Sequence, residues 1–295
     1  MRKIFFFLCI VLPFLGYGAE YLDHELAVAK KAAHLAGQRE MHIFVHGKDK
    51  PVLMDDVCLA HTESAHIILK HLKDNFPSQV VKHEFLINPA SQEAWWKEDN
   101  IWLFEPLDGL GDFDTKGSRF CITIGLIKKG IPVLGVYYFP ATETFYWAVK
   151  GSGAFKQVGS GPIEQVTIKP TDSSLGLYTY HKSIPAIRKL FPVLLGRILT
   201  AAEEDKLFSD IGSIGFRICQ IAEGAPTLYI SESFRGKLWN FAAGQVILQE
   251  VGGLISDLKG SPLEYRCPIA RIHKGVLICN DAALQRKVLT SLALP

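Results

Sequence analysis

The stretch Trp102–Phe113, with the sequence WLFEPLDGLGDF, constrains the fold and the chemistry of this chain more than any other. It begins as a short apolar run of the kind that forms a buried strand. The residue before a proline is biased to extended backbone, so Glu105 is predicted at the end of that strand. Asp108-Gly109 then predicts a tight turn, because glycine lets the backbone approach a ligand closely.

Two carboxylates, on Glu105 and Asp108, therefore lie three residues apart around a proline. Carboxylate oxygens at a strand end beside a glycine turn suit Mg²⁺, a hard cation that takes oxygen ligands and bridges phosphates. An acidic surface turn that binds nothing would show the same short motif. The rest of the chain has to decide between these two interpretations.

The composition describes an ordinary folded protein. A chain of 295 residues is long enough for one large domain or two modest ones. Its hydrophobic content of 48% and charged content of 21% predict a sizeable core. With a formal net charge of +2 and no block of lysine and arginine, nothing in the sequence predicts nucleic-acid binding.

Residues 1–19 have the pattern of an export signal. The basic pair Arg2-Lys3 precedes an apolar run, Ile4–Leu15, and small residues follow it. The run is too short to span a bilayer comfortably. The pattern predicts an exported, periplasmic or membrane-associated protein, with an uncleaved membrane anchor and a cytoplasmic location as the alternatives.

The cysteines predict no disulfide framework. The five that follow the signal-like segment are odd in number, and no two of them form a C-x-x-C pair. Cys121 and Cys279 lie in apolar, strand-like runs, where a free cysteine behaves as a small buried hydrophobe. This usage counts mildly against an oxidising compartment.

Hydrophobic periodicity predicts an α+β protein whose first half consists of helices followed by an antiparallel meander. One amphipathic helix is predicted from residue 20 to about Phe44, and a second begins at Asp56. Residues 76–100 are predicted to be rich in loops. The apolar faces are Leu22, Leu26, Ala29, Ala33 and Ala36 in the first helix and Leu59, Ala60, Ala65, Ile68, Leu69 and Leu72 in the second. The predicted strands of the meander are Phe120–Ile127, Val133–Phe139 and Thr144–Val149.

The second half predicts another layered sheet, because strands alternate with helices. The strands are Leu175–Tyr180, Thr227–Ile230, Leu254–Ser256 and Gly275–Cys279, and the helices are Ile184–Leu199, Ile218–Glu223, Trp239–Val251 and one from Asp281 onward. No low-complexity linker separates the halves. Two closely packed subdomains, residues 20–165 and 166–295, are therefore predicted.

Several short motifs fall in the order of a known family. They are WLFEPLDG at 102–109, PVLGVYYFP at 132–140, GSGAF at 151–155, GSIGFRICQIAEG at 212–224, and WNFAAGQ at 239–245 followed by Gly252-Gly253. In this order they resemble the lithium-sensitive, Mg²⁺-dependent phosphomonoesterases of the inositol monophosphatase superfamily. The likeness is closest to the CysQ-type 3'(2'),5'-bisphosphate nucleotidase branch and covers nearly everything after residue 21. It implies a layered αβαβα sandwich of the inositol monophosphatase/fructose-1,6-bisphosphatase type.

The resemblance also implies a reaction and a set of site residues. The expected substrate is a small phosphorylated molecule, such as 3'-phosphoadenosine 5'-phosphate, hydrolysed with two or more Mg²⁺ ions by a monomer or homodimer. Matching positions for metal binding and catalysis are Asp56, Glu84, Glu105, the carbonyl of Leu107, Asp108 and Asn240. Matching positions for phosphate and substrate contacts are Gly109, the amide of Leu110, Gly212, Ser213 and Arg217.

Three positions depart from the pattern of that branch. Glu105 and Asn240 each stand where it has aspartate, and Leu110 stands where it has threonine. Glu105 makes the side chain one methylene longer. Asn240 removes a negative charge while keeping a carbonyl oxygen, and Leu110 removes a hydroxyl that would orient water. Loss of such positioning typically costs about 10²–10⁴-fold in rate. An enzyme of reduced or altered activity is favoured, and a phospho-ligand-binding or partner-binding protein and an inositol phosphate phosphatase remain as alternatives.

Overall fold

The computed structural model describes residues 22–46, 54–83, 94–169, 177–179, 190, 200, 213–224, 228–231, 236–268, 272 and 274–292. The signal-like segment, Glu84, Gly212 and all but Leu190 of the helix predicted over Ile184–Leu199 lie outside these residues. Within the described part of the chain, no helix is both long enough and apolar enough to cross a bilayer.

Two long helices cover one face of the first sheet. Helix α1 spans Asp23–His46 and helix α2 spans Met54–Asn75, and they pack against each other. The predicted apolar face of α1 is confirmed, since its Ala29, Ala33 and Ala36 have no accessible surface. These small side chains bring the helix close to the sheet: a Cβ added to Gly37 would lie 2.5 Å from Cε1 of Tyr138.

Leu59 was predicted on the buried face of α2, and that prediction is wrong. The residue is 43% exposed, whereas its neighbour Ala60 has no accessible surface. Successive residues of a helix point about 100° apart. The buried side of α2 is set by Val57, Ala60, Ile68 and Leu72, which leaves Leu59 turned outward.

The first sheet has seven strands in chain order. From β2 to β7 it is an antiparallel meander, as predicted. Strand β1 is parallel to β2 and lies in the region predicted to be loop, because three residues are too few to show a periodicity. The strands are β1 Val80–Lys82, β2 Asn100–Asp108, β3 Cys121–Lys128, β4 Ile131–Phe139, β5 Thr144–Val149, β6 Ala154–Val158 and β7 Glu164–Gln165.

The second sheet has four strands in the order β10-β11-β9-β8. Strand β8 is parallel to β9, and the other neighbours are antiparallel. The strands are β8 Leu177–Thr179, β9 Leu228–Ser231, β10 Leu254–Ser256 and β11 Val276–Cys279. The helices of this half are α4 Ile214–Glu223, α5 Leu238–Glu250 and α6 Ala282–Leu292. Each of these strands and helices overlaps an element that the sequence predicts.

Helix α5 packs against β2 to β6 of the first sheet and against β10 of the second. It sits very close to the sheet because glycines face it. A Cβ on Gly135 would lie 2.2 Å from the carbonyl oxygen of Ala243, and one on Gly125 would lie 2.8 Å from Cβ of Ala242. This packing fixes the first turn of α5 against β2 and β3, where the candidate site lies.

Glu40 is a buried carboxyl group in α1 that the sequence analysis did not single out. It has no accessible surface, and neither side-chain oxygen has a hydrogen-bond partner. The nearby Ser64 hydroxyl donates instead to the carbonyl of Ala36, at 3.4 Å. Burial raises the pKa of Glu40 well above the usual value, because the interior disfavours the charged form of the carboxyl group.

We expect Glu40→Met to raise the free energy of unfolding at neutral pH by about 1–3 kcal/mol, because it removes an unsatisfied buried polar group. In the wild type, the contribution of Glu40 to stability is present below pH 4.5 and is lost as the pH rises toward its raised folded pKa. Urea unfolding at pH 5 and pH 8 would measure both effects. Glu40→Gln is the isosteric control and should lose this pH dependence; an unchanged pH slope would contradict the assignment.

Candidate functional site

The acidic end of β2 contains a β-bulge. Glu105 pairs with Thr123 and Asp108 pairs with Cys121, so three steps along β2 oppose two steps along β3. A bulge bends its strand and re-aims the side chains beside it, and it also tolerates a proline such as Pro106. The expected extended backbone at Glu105 is confirmed, and the bulge separates it from Asp108.

The Glu105 carboxylate is surrounded by N–H donors of the protein itself. Its Oε2 accepts hydrogen bonds from Nε1 of Trp239 at 2.8 Å and from Nδ2 of Asn240 at 3.2 Å. Its Oε1 lies 3.1 Å from Nε2 of His61, on α2. A carboxylate can only accept, so Nε2 of His61 carries the proton. Glu105 is only 7% exposed, and these contacts hold it inside the protein.

Thr123 ties the same two elements together through the backbone. The amide of Glu105 donates to Oγ1 of Thr123 at 3.3 Å, and Thr123 donates to the carbonyl of Trp239 at 2.9 Å. The indole N–H of Trp239 donates to Glu105, so hydrogen bonds link Glu105, Thr123 and Trp239 in a ring. The end of β2 is thereby fastened to the first turn of α5.

The Asn240 side chain has a fixed orientation. Its Oδ1 accepts the amide of Lys237 at 2.9 Å, which caps the start of α5, and its Nδ2 points to Glu105. The backbone N–H of Lys237 needs an acceptor and the Glu105 carboxylate needs a donor. The two contacts therefore fix the side-chain amide of Asn240 with its oxygen toward Lys237 and its nitrogen toward Glu105. The carbonyl oxygen that the sequence analysis assigned to a metal is therefore occupied by the helix cap.

Asp108, the last residue of β2, lies beside the N-terminus of helix α4. Its Oδ2 accepts the amide of Gly215 at 3.0 Å, and the residue retains some accessible surface. Burial of the carboxyl group raises the pKa of Asp108 to about 7, with a further upward contribution from Glu105. The amides of Gly215 and Ile214 and the charge of Arg217 oppose this shift.

Gly109 forms the turn between β2 and the next element. Its φ is 95°, and a Cβ there would lie 3.1 Å from the Cβ of Ser213, so only glycine fits. A short helix that the sequence did not predict, α3 (Leu110–Asp114), follows directly. Ser213 caps α4 by accepting the amide of Phe216 at 3.0 Å. Leu110 is 47% exposed beside this turn, where the family pattern has a hydroxyl.

The structure brings most of the sequence-predicted site residues together. Glu105, Leu107, Asp108, Gly109 and Leu110 follow one another at the end of β2, and Ser213 and Asn240 join them through the contacts above. Three residues that contact Glu105 were missed by the sequence analysis: His61, Thr123 and Trp239. Trp239 lay within a recognised motif, but no pattern in a single sequence marks its indole, or the other two side chains, as partners of Glu105.

The remaining predicted site residues are Asp56, Arg217, Glu84 and Gly212. Asp56 lies in the first turn of α2 and is partly buried. Arg217 is 3% exposed, and its guanidinium lies 5.7 Å from the ring centroid of Tyr229, so it faces the interior. Glu84 and Gly212 lie outside the described residues. His83, which precedes Glu84, packs on Phe104, and burial lowers the pKa of His83 to about 4.

Of the two carboxylates at the end of β2, Asp108 suits a divalent cation better than Glu105 does. Among the described residues, no group of three or more His, Cys, Asp or Glu side chains could hold a metal ion. At Glu105 and Asn240 the metal-facing atoms would have to be oxygens, but both carboxylate oxygens already receive N–H groups and the amide presents nitrogen. Asp108 accepts the backbone amide of Gly215, with that of Ile214 beside it, whereas Glu105 has three N–H partners, and Asp108 therefore retains more capacity for a cation.

A family comparison decides the relationship of this chain. The model of the inositol monophosphatase family matches residues 19–293. The chain belongs to this family. Inositol monophosphatase 2 of Solanum lycopersicum is 28% identical over 250 residues, which cover 83% of this chain and 90% of that protein. The 3'(2'),5'-bisphosphate nucleotidase CysQ of Salmonella typhimurium is 29% identical over 236 residues, which cover 78% and 85% of the two chains.

Solved structures of the family share the fold. CysQ from Bacteroides thetaiotaomicron superimposes with a TM-score of 0.68 at 22% identity and covers 89% of this chain and 99% of its own. A staphylococcal inositol monophosphatase, SaIMPase-II with 2'AMP bound, gives 0.67 at 23% identity and covers 90% and 93%. The same enzyme with inositol monophosphate bound gives 0.64 at 23% identity and covers 90% and 92%. The predicted α+β sandwich of this family is confirmed.

Membership also confirms the predicted enzyme class. The enzymes of this family are metal-dependent phosphoric monoester hydrolases that generally use Mg²⁺. The relatives include both CysQ-type nucleotidases and plant inositol monophosphatases at similar identity. The substrate class within the family is therefore a separate question.

Proposed function

We propose that this protein hydrolyses a small nucleotide-type phosphomonoester, such as 3'-phosphoadenosine 5'-phosphate, at a rate lowered by its altered site. The observation that carries the proposal is the meeting of Asp108-Gly109 with the start of α4, where Gly215 donates to Asp108 at 3.0 Å. Two motifs far apart in the sequence meet there, and a third contacts the neighbouring Glu105 through Trp239 and Asn240. The nucleotidase relative and the 2'AMP-bound neighbour support a nucleotide, and the inositol monophosphate-bound neighbour supports a second substrate to test.

The residues at the end of β2 and in the following turn would have different roles in the reaction. Asp108 and the main-chain carbonyl of Leu107 would hold a divalent cation, which when bound supplies phosphate binding and activation of a water. The glycine at 109 leaves the backbone open for close approach of the phosphate. Leu110 offers no hydroxyl to position the attacking water, and this is the physical reason for a slow reaction.

Phosphate release should depend on Mg²⁺ and should fall at least about 10²-fold in Asp108→Ala, because that change removes the carboxylate proposed to hold the cation. A colorimetric phosphate assay with 3'-phosphoadenosine 5'-phosphate, 2'AMP and inositol monophosphates would measure it. Asp74→Ala is the matched control, since Asp74 forms an exposed ion pair with Lys70 near the end of α2. Absence of release from every substrate with Mg²⁺, Mn²⁺ or Zn²⁺ would contradict the proposal.

A second candidate function is the binding of a phosphorylated ligand without turnover. The hydrogen bonds that occupy both oxygens of Glu105 favour it, because they leave fewer ligands for catalytic metal ions. Calorimetry of nucleotide binding separates the two candidates. Binding that is equally tight in EDTA and in Mg²⁺, with no phosphate released, would support this second function over the first.

A further inference from the structure

We propose that the Glu105 position of this protein takes no divalent cation, because a cage of three N–H donors occupies the place of the ion. The cage consists of the indole of Trp239, the amide of Asn240 and the imidazole of His61, at 2.8, 3.2 and 3.1 Å from the carboxylate. This inference deepens the proposed function, on which it rests for the location of the cleft. Within the described part of the chain it leaves a single cation, at Asp108.

A cation at Glu105 would have to displace the cage. Mg²⁺ binds oxygens at about 2.0–2.1 Å and demands near-octahedral geometry. Both oxygens of Glu105 already receive donors, and the residue is almost fully buried. The displaced N–H groups of Trp239 and His61 belong to buried side chains and would lose their acceptor, which is unfavourable for a buried donor.

Two members of the cage, Trp239 and Asn240, are also fixed by hydrogen bonds to groups other than Glu105. Trp239 is 2% exposed on α5, and its carbonyl accepts from Thr123. Asn240 could offer an oxygen to a cation only if its amide turned over. That rotation would point Nδ2 at the N–H group of Lys237, which now donates to Oδ1 at 2.9 Å, and would uncap the helix. The cage therefore does not open by rotation of a free side chain.

The change from aspartate to Asn240 explains why the cage is possible. A carboxylate at this position would lie where Nδ2 now lies, 3.2 Å from Oε2 of Glu105. Two carboxylates at that separation repel each other unless a cation or a proton lies between them. The amide donates a hydrogen bond in place of this repulsion, so the protein stabilises the Glu105 carboxylate without an ion.

We expect Mn²⁺ titration followed by electron paramagnetic resonance to count no more than one tightly bound ion per wild-type chain. Asn240→Asp should bind one more, because it restores a carboxylate beside Glu105. Its midpoint of thermal unfolding should be lower than that of the wild type in EDTA and should recover when Mn²⁺ is added. Asn280→Asp is the matched control, since Asn280 donates to the carbonyl of Gly224 at the far end of α4; it should gain no ion.

Two or more tightly bound Mn²⁺ ions in the wild type would overturn the inference, and this count does not depend on whether the variant folds. A gain of no ion in a folded Asn240→Asp would overturn it as well. Phosphate release does not enter the test. An inactive wild type that binds one Mn²⁺ would contradict the proposed function and support the cage.

Discussion

The triple variant Glu105→Asp, Leu110→Thr and Asn240→Asp is expected to release phosphate about 10²–10⁴-fold faster than the wild type. The two aspartates would remove the cage around position 105 and restore oxygen ligands for a second cation. The threonine would supply the hydroxyl that orients the attacking water. The measurement is kcat/KM for 3'-phosphoadenosine 5'-phosphate across a Mg²⁺ titration.

The three changes should act as a unit. Groups that cooperate in one site give strongly non-additive effects. The increase in log kcat/KM of each single variant should therefore be much less than a third of the increase in the triple variant. Leu110→Val in place of Leu110→Thr is the matched control, because valine has the shape of threonine without the hydroxyl. A triple variant no faster than the wild type would show that these positions do not correspond to the family's metal and water-orienting residues.

Gly135→Ala is expected to lower the free energy of unfolding by about 3 kcal/mol or more, at the upper end of overpacking effects. Its new Cβ would lie 2.2 Å from the carbonyl oxygen of Ala243 and 2.6 Å from that residue's Cα. Both are backbone atoms of α5 and cannot move aside, so the helix itself must shift. Because Trp239 and Asn240 lie in the first turn of this helix, the cage around Glu105 should loosen too. Urea unfolding measures the change in stability.

Gly111→Ala provides the matched comparison. Gly111 lies in α3, and a Cβ there would meet nothing within 4 Å. Replacing a glycine inside a helix by alanine typically gains about 0.5–1 kcal/mol. A similar small change in both variants would contradict the close packing of α5 on the sheet.

Much of the fold was predictable from the sequence because its long elements have strong periodicity. Helix α1 buries Ala29, Ala33 and Ala36, and the meander alternates between apolar strands and clear turns. The missed elements are short. Strand β1 and helix α3 have three and five residues, which is too few for a pattern to distinguish them from loops. The error at Leu59 arose because an apolar residue next to a buried face is not necessarily part of it.

The candidate site was predictable in its location but not in its connections. The acidic turn, Ser213 and Asn240 were identified from the order of the motifs, yet the role of Asn240 depends on what its two side-chain atoms contact. Nδ2 meets a residue 135 positions away, and Oδ1 caps its own helix. A hydrogen bond between such distant residues leaves no trace in local periodicity. His61, Thr123 and Trp239 were missed for the same reason.

The most direct test of this account is a crystal structure of the wild-type protein after a soak in Mn²⁺, with the ions located by anomalous scattering. We expect at most one ion, at Asp108, with the Glu105 carboxylate still hydrogen-bonded to Trp239, Asn240 and His61. An ion lying between Glu105, Asp108 and Asn240, with the cage displaced, would contradict it.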